Sequence, residues 1–235
     1  KSRPTPDEGG FQTTSNRLPK PFLITLSARS FVFLERLARE QAAEADLPML
    51  KTLFLPTRLT YDGSQLATHW PRRAAGLTGD CLVAFLGPAE VPTENLVDLE
   101  DSLAGERIIA RRMLHLIGVW FGRSLAETVL RQRLYVFETA EELRRLGVEV
   151  AVEGDDLFTP NRDGRKLSVS IATASPLAGL IHLGLNDDPA GAPVPAAGLA
   201  GLGIDAEEFG RGLLERLERL ERGLAEAAAK VRAVE

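Results

Sequence analysis

The chain has 235 residues, 44% hydrophobic and 26% charged, with a formal net charge of −5. That suffices for one core of moderate size and argues against a broadly basic nucleic-acid binder. No run of about 18 apolar residues occurs, so no membrane-spanning helix is predicted. The first twenty residues lack a secretory pattern and Cys81 is the single cysteine, which together give the expectation of a cytoplasmic protein without an internal disulfide.

In chain order, residues 1–20 are polar and punctuated by Pro4, Pro6, Gly9, Gly10 and Pro19, and read as a loose extension. Phe22 to Ala28 reads as a short strand, and Phe31 to Glu44 as an amphipathic helix. The first methionine is Met49, so residues 1–48 are either an upstream extension or an ordinary strand–helix pair. KTLFLPTRLT (51–60) suggests a strand, and Pro56 puts it at an edge. Tyr61 to Ser64 is turn chemistry, and CLVAFL (81–86) is a short buried strand ended by Gly87 and Pro88. Ala104 to Phe121 reads as a helix, because Ile109, Met113, Leu116, Ile117 and Trp120 share a face at helical spacing. Ser124 with Glu127, and Thr139 with Glu142, each match a capping box and predict two further helices, the second stopped by Gly147.

Beyond Gly147 the period changes to two. Val148, Val150 and Val152 alternate with Glu149, Ala151 and Glu153. Pro160 to Gly164 is a turn, and KLSVSIATA (166–174) and LIHLGL (180–185) are strands. An Ala/Gly/Pro-rich loop leads to Asp205, which caps a last helix with Leu213, Leu217, Leu220, Leu224 and Val231 on one face. Such a stripe more often packs on its own domain than forms a dimer seam, and it leaves a homodimer open. The order predicts an α+β fold, a mixed and largely antiparallel sheet packed by helices. The expected division is an extension over 1–50, the α+β domain over 51–203 and a C-terminal amphipathic helix over 204–235.

The segment with the most chemistry is Gly164-Arg165-Lys166 and the strand after it. A turn delivers Lys166 to the start of a strand, and Ser168, Ser170 and Ala172 leave space on one face. A lysine in such a groove can hold a carboxylate, an acyl carbonyl or a phosphate by charge-assisted hydrogen bonds, although a lysine after a turn is usually a solvated one.

GRKLSVSIATAS with LIHLGLN resembles the lipoyl (octanoyl) transferases, and more loosely the biotin and lipoate ligases, whose class II synthetase-like fold it implies. The resemblance covers roughly residues 79–202, and only the lysine strand is a specific motif. It implies that Lys166 is catalytic, with Ser168, Ser170 and Gly184 lining an acyl groove and Gly87 and Pro88 near its mouth. His182 falls where the family has a Tyr-His pair before Gly-Leu. The sequence also departs from the pattern: Leu86 stands where the transferases have histidine, and no cysteine occurs in Val194 to Gly198, so their thioester route is absent. The ligases' nucleotide loops are missing too, so ATP use is unsupported and no cofactor is assigned. At closer range KTLFLPTRLTYDGSQL, GDCLVAFLGPAEV, LVDLED, MLHLIGVWF and RKLSVSIATASP resemble domain-of-unknown-function family 366, which narrows the fold more than the function.

Asp98, Glu100 and Asp101 read as helix-end charges rather than a metal site, and no metal is expected. His69, His115 and His182 share no ligand spacing, and Ser64 with His69 lacks a nucleophile elbow. Tyr61 and Gln65 are either substrate contacts or parts of a plain turn. Cys81, beside Asp80, reads as inert core, and Asp155-Asp156 as a solvated bend. Arg111, Arg112, Arg131 and Arg133 offer a basic patch only by fold analogy. The resulting expectation is an acyl- or carboxylate-handling enzyme that uses Lys166, with a small acyl or carboxylate ligand or an acyl-carrying protein as partner and with neither membrane nor nucleic acid. The alternative is a binding module for a small carboxylate or a partner protein.

Overall fold

The computed structural model describes residues 50–160 and 164–234. The strand and helix expected before Met49, and the centre of the 160–164 turn, lie outside the described residues.

Five strands form one sheet in the order β1-β2-β3-β7-β6: β1 (Lys51–Phe54), β2 (Cys81–Val91), β3 (Ile108–Phe121), β6 (Ser168–Ala174) and β7 (Ala178–Asp188). Only β1 runs parallel to its neighbour; the other pairs are antiparallel. β1 stops at Phe54 on the sheet edge, where Pro56 costs no ladder bond. A separate hairpin pairs β4 (Ala151–Glu153) with β5 (Asp156–Phe158). The helices are α1 (Trp70–Ala75), α2 (Leu99–Ala104), α3 (Leu125–Arg145) and α4 (Ala206–Ala229). None is long and apolar enough to cross a membrane among the described residues.

The main correction is β3. Residues 108–121, expected as helix, form the central strand between β2 and β7. Both of its faces are buried: Leu114, Leu116 and Trp120 lie under the helices, while Met113, His115, Ile117 and Val119 belong to the opposite side. A strand buried twice loses polar alternation, and a continuous apolar run matches helical spacing by default. Two glycines carried the opposing signal. Gly105 ends α2 in the left-handed region (φ 72°) just before the strand. Gly118 lies beneath the Trp120 ring, which would come within 2.1 Å of a Cβ there.

α3 and α4 cover one face, α3 over β6 and β7 and α4 over β1 and β2. α3 starts at the expected Ser124–Glu127 capping box and runs unbroken to Arg145. The predicted break at Thr139 does not occur, because its hydroxyl donates to the Tyr135 carbonyl 2.7 Å away inside the helix. Phe209, Leu213, Leu214 and Leu217 of α4 share one core with Leu82, Leu114 and Leu183 of the sheet. The leucine stripe thus packs on its own sheet over its first half, then emerges: Leu224 is 40% and Val231 69% exposed.

A polar clasp joins α3 to α4. Arg131 donates to both oxygens of Glu221 (2.6 and 3.2 Å), and the Tyr135 hydroxyl donates to the same carboxylate at 2.9 Å. Arg131 also lies 5.0 Å above the Trp120 ring. Arg131 and Glu221 are only 14% and 10% exposed. Glu221→Ala therefore leaves a half-buried cation and a buried phenol without their partner, and is expected to cost about 3 kcal/mol in urea unfolding. A loss under about 1 kcal/mol would mean that water replaces the carboxylate.

Candidate functional site

A cavity of about 450 Å³ lies on the sheet face opposite α3 and α4. That lies within the roughly 300–1,000 Å³ typical of small-molecule sites. Its floor includes Met113 of β3, Val169 and Ile171 of β6, His182 of β7, and Tyr61. These strand residues alternate with the helix-facing set, as the pleat requires.

Tyr61 reaches the floor because the chain after β1 crosses β2 closely. The Leu59 and Tyr61 amides donate to the carbonyls of Leu86 (3.2 Å) and Pro88 (2.9 Å), and a Cβ on Gly87 would lie 1.7 Å from the Leu59 carbonyl oxygen. Gly87 is thus the residue that lets the strap pass. Tyr61 stacks on His182 with ring centroids 3.9 Å apart and lies 5.0 Å from the His115 ring. Burial raises the Tyr61 phenol well above its ordinary value, and the Asp62 charge adds to this.

His115 and His182 form a buried pair. His115 Nδ1 is 3.1 Å from His182 Nε2, and His115 Nε2 is 3.3 Å from the Gly87 carbonyl oxygen. Burial pushes His115 down to about 3 and holds His182 far below its ordinary value, so both rings are neutral at pH 7. Gly184 leaves room for them, since a Cβ there would sit 2.9 Å from Met113 Cε and 3.2 Å from the His182 ring.

Lys166 lines the cavity rim and is 30% exposed. Its amide donates to the Pro195 carbonyl, and its own carbonyl accepts from Ala197 N–H (3.0 Å) and Asn186 Nδ2 (3.2 Å), so its backbone is tied on both sides. Its Nζ stands 2.6 Å from an Asp156 carboxylate oxygen. Burial raises the Asp156 carboxyl above the ordinary carboxylate range, and the Lys166 charge only partly opposes this. Asp155-Asp156 is therefore not a solvated bend. Asp155 accepts from Gln132 Nε2 at 2.9 Å and pairs with Arg133 at 3.3 Å.

The other expected site residues divide. Tyr61, His182, Lys166 and Ser170 border the cavity. α3 and the hairpin cover most of the small-residue face of β6, so of its two serines only Ser170 reaches the cavity. Ser168 accepts from Leu157 N–H at 2.8 Å and is fully buried; Ser170 donates to the Asp155 carbonyl and accepts from Gln132. The groove lies on the opposite face, floored by Val169 and Ile171. Gly87, Pro88 and Gly184 are not among the residues that border the cavity. Gln65 is held in its own turn, bonding Thr60 O at 2.9 Å and Asp62 N–H at 3.2 Å.

Ser64 donates to Asp62, while His69 borders Phe121, so no Ser–His pair forms. Asp98 caps α2 by accepting from the amides of Glu100 (2.8 Å) and Asp101 (3.1 Å). Cys81 is 2% exposed, and burial followed by Asp80 pushes its thiol up to about 11. Each arginine of the suggested basic patch has a carboxylate partner: Arg111 with Asp188, Arg112 with Asp187, Arg131 with Glu221 and Arg133 with Asp155. Asp156, Met113 and Ile171 join the cavity lining and His115 pairs with the expected His182, with no local sequence signal for any of the four.

The topology is an α+β fold similar to that of a biotin protein ligase. A mutant biotin protein ligase from Aquifex aeolicus in complex with biotin superposes with a TM-score of 0.50 at 13% identity, over 75% of this chain and 72% of that one. More particularly, residues 50–232 match the family described as domain of unknown function (DUF366), and the chain belongs to it. An uncharacterized protein of Methanocaldococcus jannaschii is 30% identical over 191 residues, 76% of this chain and 85% of that protein. A protein of unknown function from Pyrococcus horikoshi, 36% identical, superposes with a TM-score of 0.76 over 79% of this chain and 100% of its own.

Proposed function

We propose that this protein is an acyl-group-handling enzyme: the acyl chain lies on the apolar floor, and its carbonyl oxygen meets the Lys166 ammonium. The observation that carries the reading is the tethered lysine, 2.6 Å from Asp156 at the rim of a 450 Å³ cavity. A fixed cation stabilises the charge that grows on a carbonyl oxygen under attack. The rim carries five carboxylates (Asp98, Asp101, Glu106, Asp155, Asp156) against two cations (Arg107, Lys166). That excess disfavours a free carboxylate and favours a neutral ester, thioester or amide. In a direct transfer the acceptor's nitrogen or oxygen bonds the acyl carbon, the leaving group departs, and the acceptor's proton goes to it. No enzyme nucleophile is needed, in keeping with the missing cysteine at 194–198.

The test is incubation with octanoylated acyl-carrier protein and a lysine-bearing acceptor protein, read by intact mass. Loss of octanoyl from the carrier with gain on the acceptor is expected. Binding of octanoyl amide without turnover would favour the alternative, a binding module, which also lacks the transferases' Cys and His. Neither binding nor turnover would overturn both.

Asp156 competes with any ligand carboxylate for Lys166, which sets a pH dependence. Its folded carboxyl is raised by burial, so acidification protonates it before an ordinary carboxylate. Octanoate affinity should thus rise as pH falls from 7 toward the raised Asp156 value, and fall again once octanoate itself protonates. Asp156→Asn should raise octanoate affinity at pH 7 by about tenfold and flatten the rise. A titration calorimetry series with no pH dependence in the unmutated protein would contradict this.

A further inference from the structure

The geometry points to His182 Nδ1 as a fixed hydrogen-bond acceptor facing the cavity, so that the ligand carries an O–H or N–H donor in its inner, chain-end portion. This deepens the acyl reading and rests on it for the ligand's other end.

One chain of contacts fixes where the ring protons sit. The Gly87 carbonyl oxygen can only accept, so the His115 nitrogen facing it, Nε2, carries the hydrogen. A neutral imidazole has one N–H, so His115 Nδ1 is a bare acceptor. The nitrogen facing it, His182 Nε2, must then carry a hydrogen. His182 is left with a lone pair on Nδ1. Among the described residues no donor reaches that atom, nor is it sealed in as a buried atom without a partner. His182 is 2% exposed overall and borders the cavity.

The surroundings hold the ring in this state. Tyr61 covers one face at 3.9 Å, and the absence of a Cβ at Gly184 leaves room for the Cε1–Nε2 edge that meets His115. Full burial keeps both rings neutral, so the relay is not disrupted by protonation near pH 7. A plain hydrocarbon over this spot would leave a desolvated acceptor unmet, which costs affinity, whereas a hydroxyl or amide N–H satisfies it. His115 is a positioning residue, since it acts only by choosing the tautomer of His182.

Two measurements test this. The first is long-range nitrogen–proton NMR of the unmutated protein with labelled histidine. It should show His115 and His182 both as the Nε2–H form, and a hydrogen on His182 Nδ1 overturns the assignment. The second compares octanoyl amide with its ω-hydroxy analogue by calorimetry. The hydroxy probe should bind the unmutated protein about tenfold more tightly, and His182→Phe should erase that preference while still binding octanoyl amide. Equal affinities for the unmutated protein, or a preference that survives His182→Phe, overturn the inference and leave the acyl reading intact. If neither probe binds, the acyl reading falls, and the tautomer still decides the role of His182.

Discussion

Lys166→Ala is expected to lower octanoyl transfer by about 100- to 1,000-fold, the loss seen when one preorganised donor to a developing oxyanion is removed. Binding should weaken far less, because the chain's contacts with Met113, Val169 and Ile171 remain. The split matters: an equal drop in binding and turnover would make Lys166 a ground-state contact only. The fold is expected to survive. Lys166 contributes to the sheet through its backbone, which alanine keeps, and the released Asp156 is already inclined to take up a proton. Lys166→Arg keeps the charge but not the compact ammonium, and should recover only part of the rate.

Gly87→Ala is the second large effect, and it tests the architecture rather than the chemistry. Its Cβ would fall 1.7 Å from the Leu59 carbonyl oxygen and 2.7 Å from the carbonyl carbon. Backbone on one side and a central strand on the other leave no side chain to swing away. The strap must lift, breaking the bonds from Leu59 to Leu86 and from Tyr61 to Pro88. Overpacking and two lost bonds together amount to about 3 kcal/mol, or a fall in Tm of roughly 6–12 °C for a domain of this size. Tyr61 would leave the His182 ring, so octanoyl amide binding should fall with stability. A melt within about 2 °C of the unmutated protein would show that the strap accommodates a methyl group.

The legible parts of this fold were those whose signals are local. The Ser124–Glu127 box, the Asp205 cap and the alternation over 168–174 each depend on residues a few positions apart, and each appears in the structure. β3 failed because its period is erased by burial on both sides, which only its neighbours β2 and β7 produce. Thr139 failed differently, since a cap signature is also satisfied inside a helix by a bond to Tyr135.

For the site, the lysine strand was visible but its working face was not. Ser168 looked like groove lining but is buried against the β4–β5 hairpin, while Ser170 borders the cavity with its hydroxyl engaged by Asp155 and Gln132. Asp156 reads as a bend until the hairpin folds back across 10 residues to Lys166. The His115–His182 pair joins residues 67 apart and had no local signature, because its geometry comes from the register that sets Ile117 opposite His182 and His115 opposite Gly184.

The most direct measurement is a crystal structure of the protein with octanoyl amide. The amide oxygen is expected within hydrogen-bond distance of Lys166 Nζ and the alkyl chain over Met113, Val169 and His182. A ligand seated elsewhere, with Lys166 still bound to Asp156 alone, would contradict this expectation.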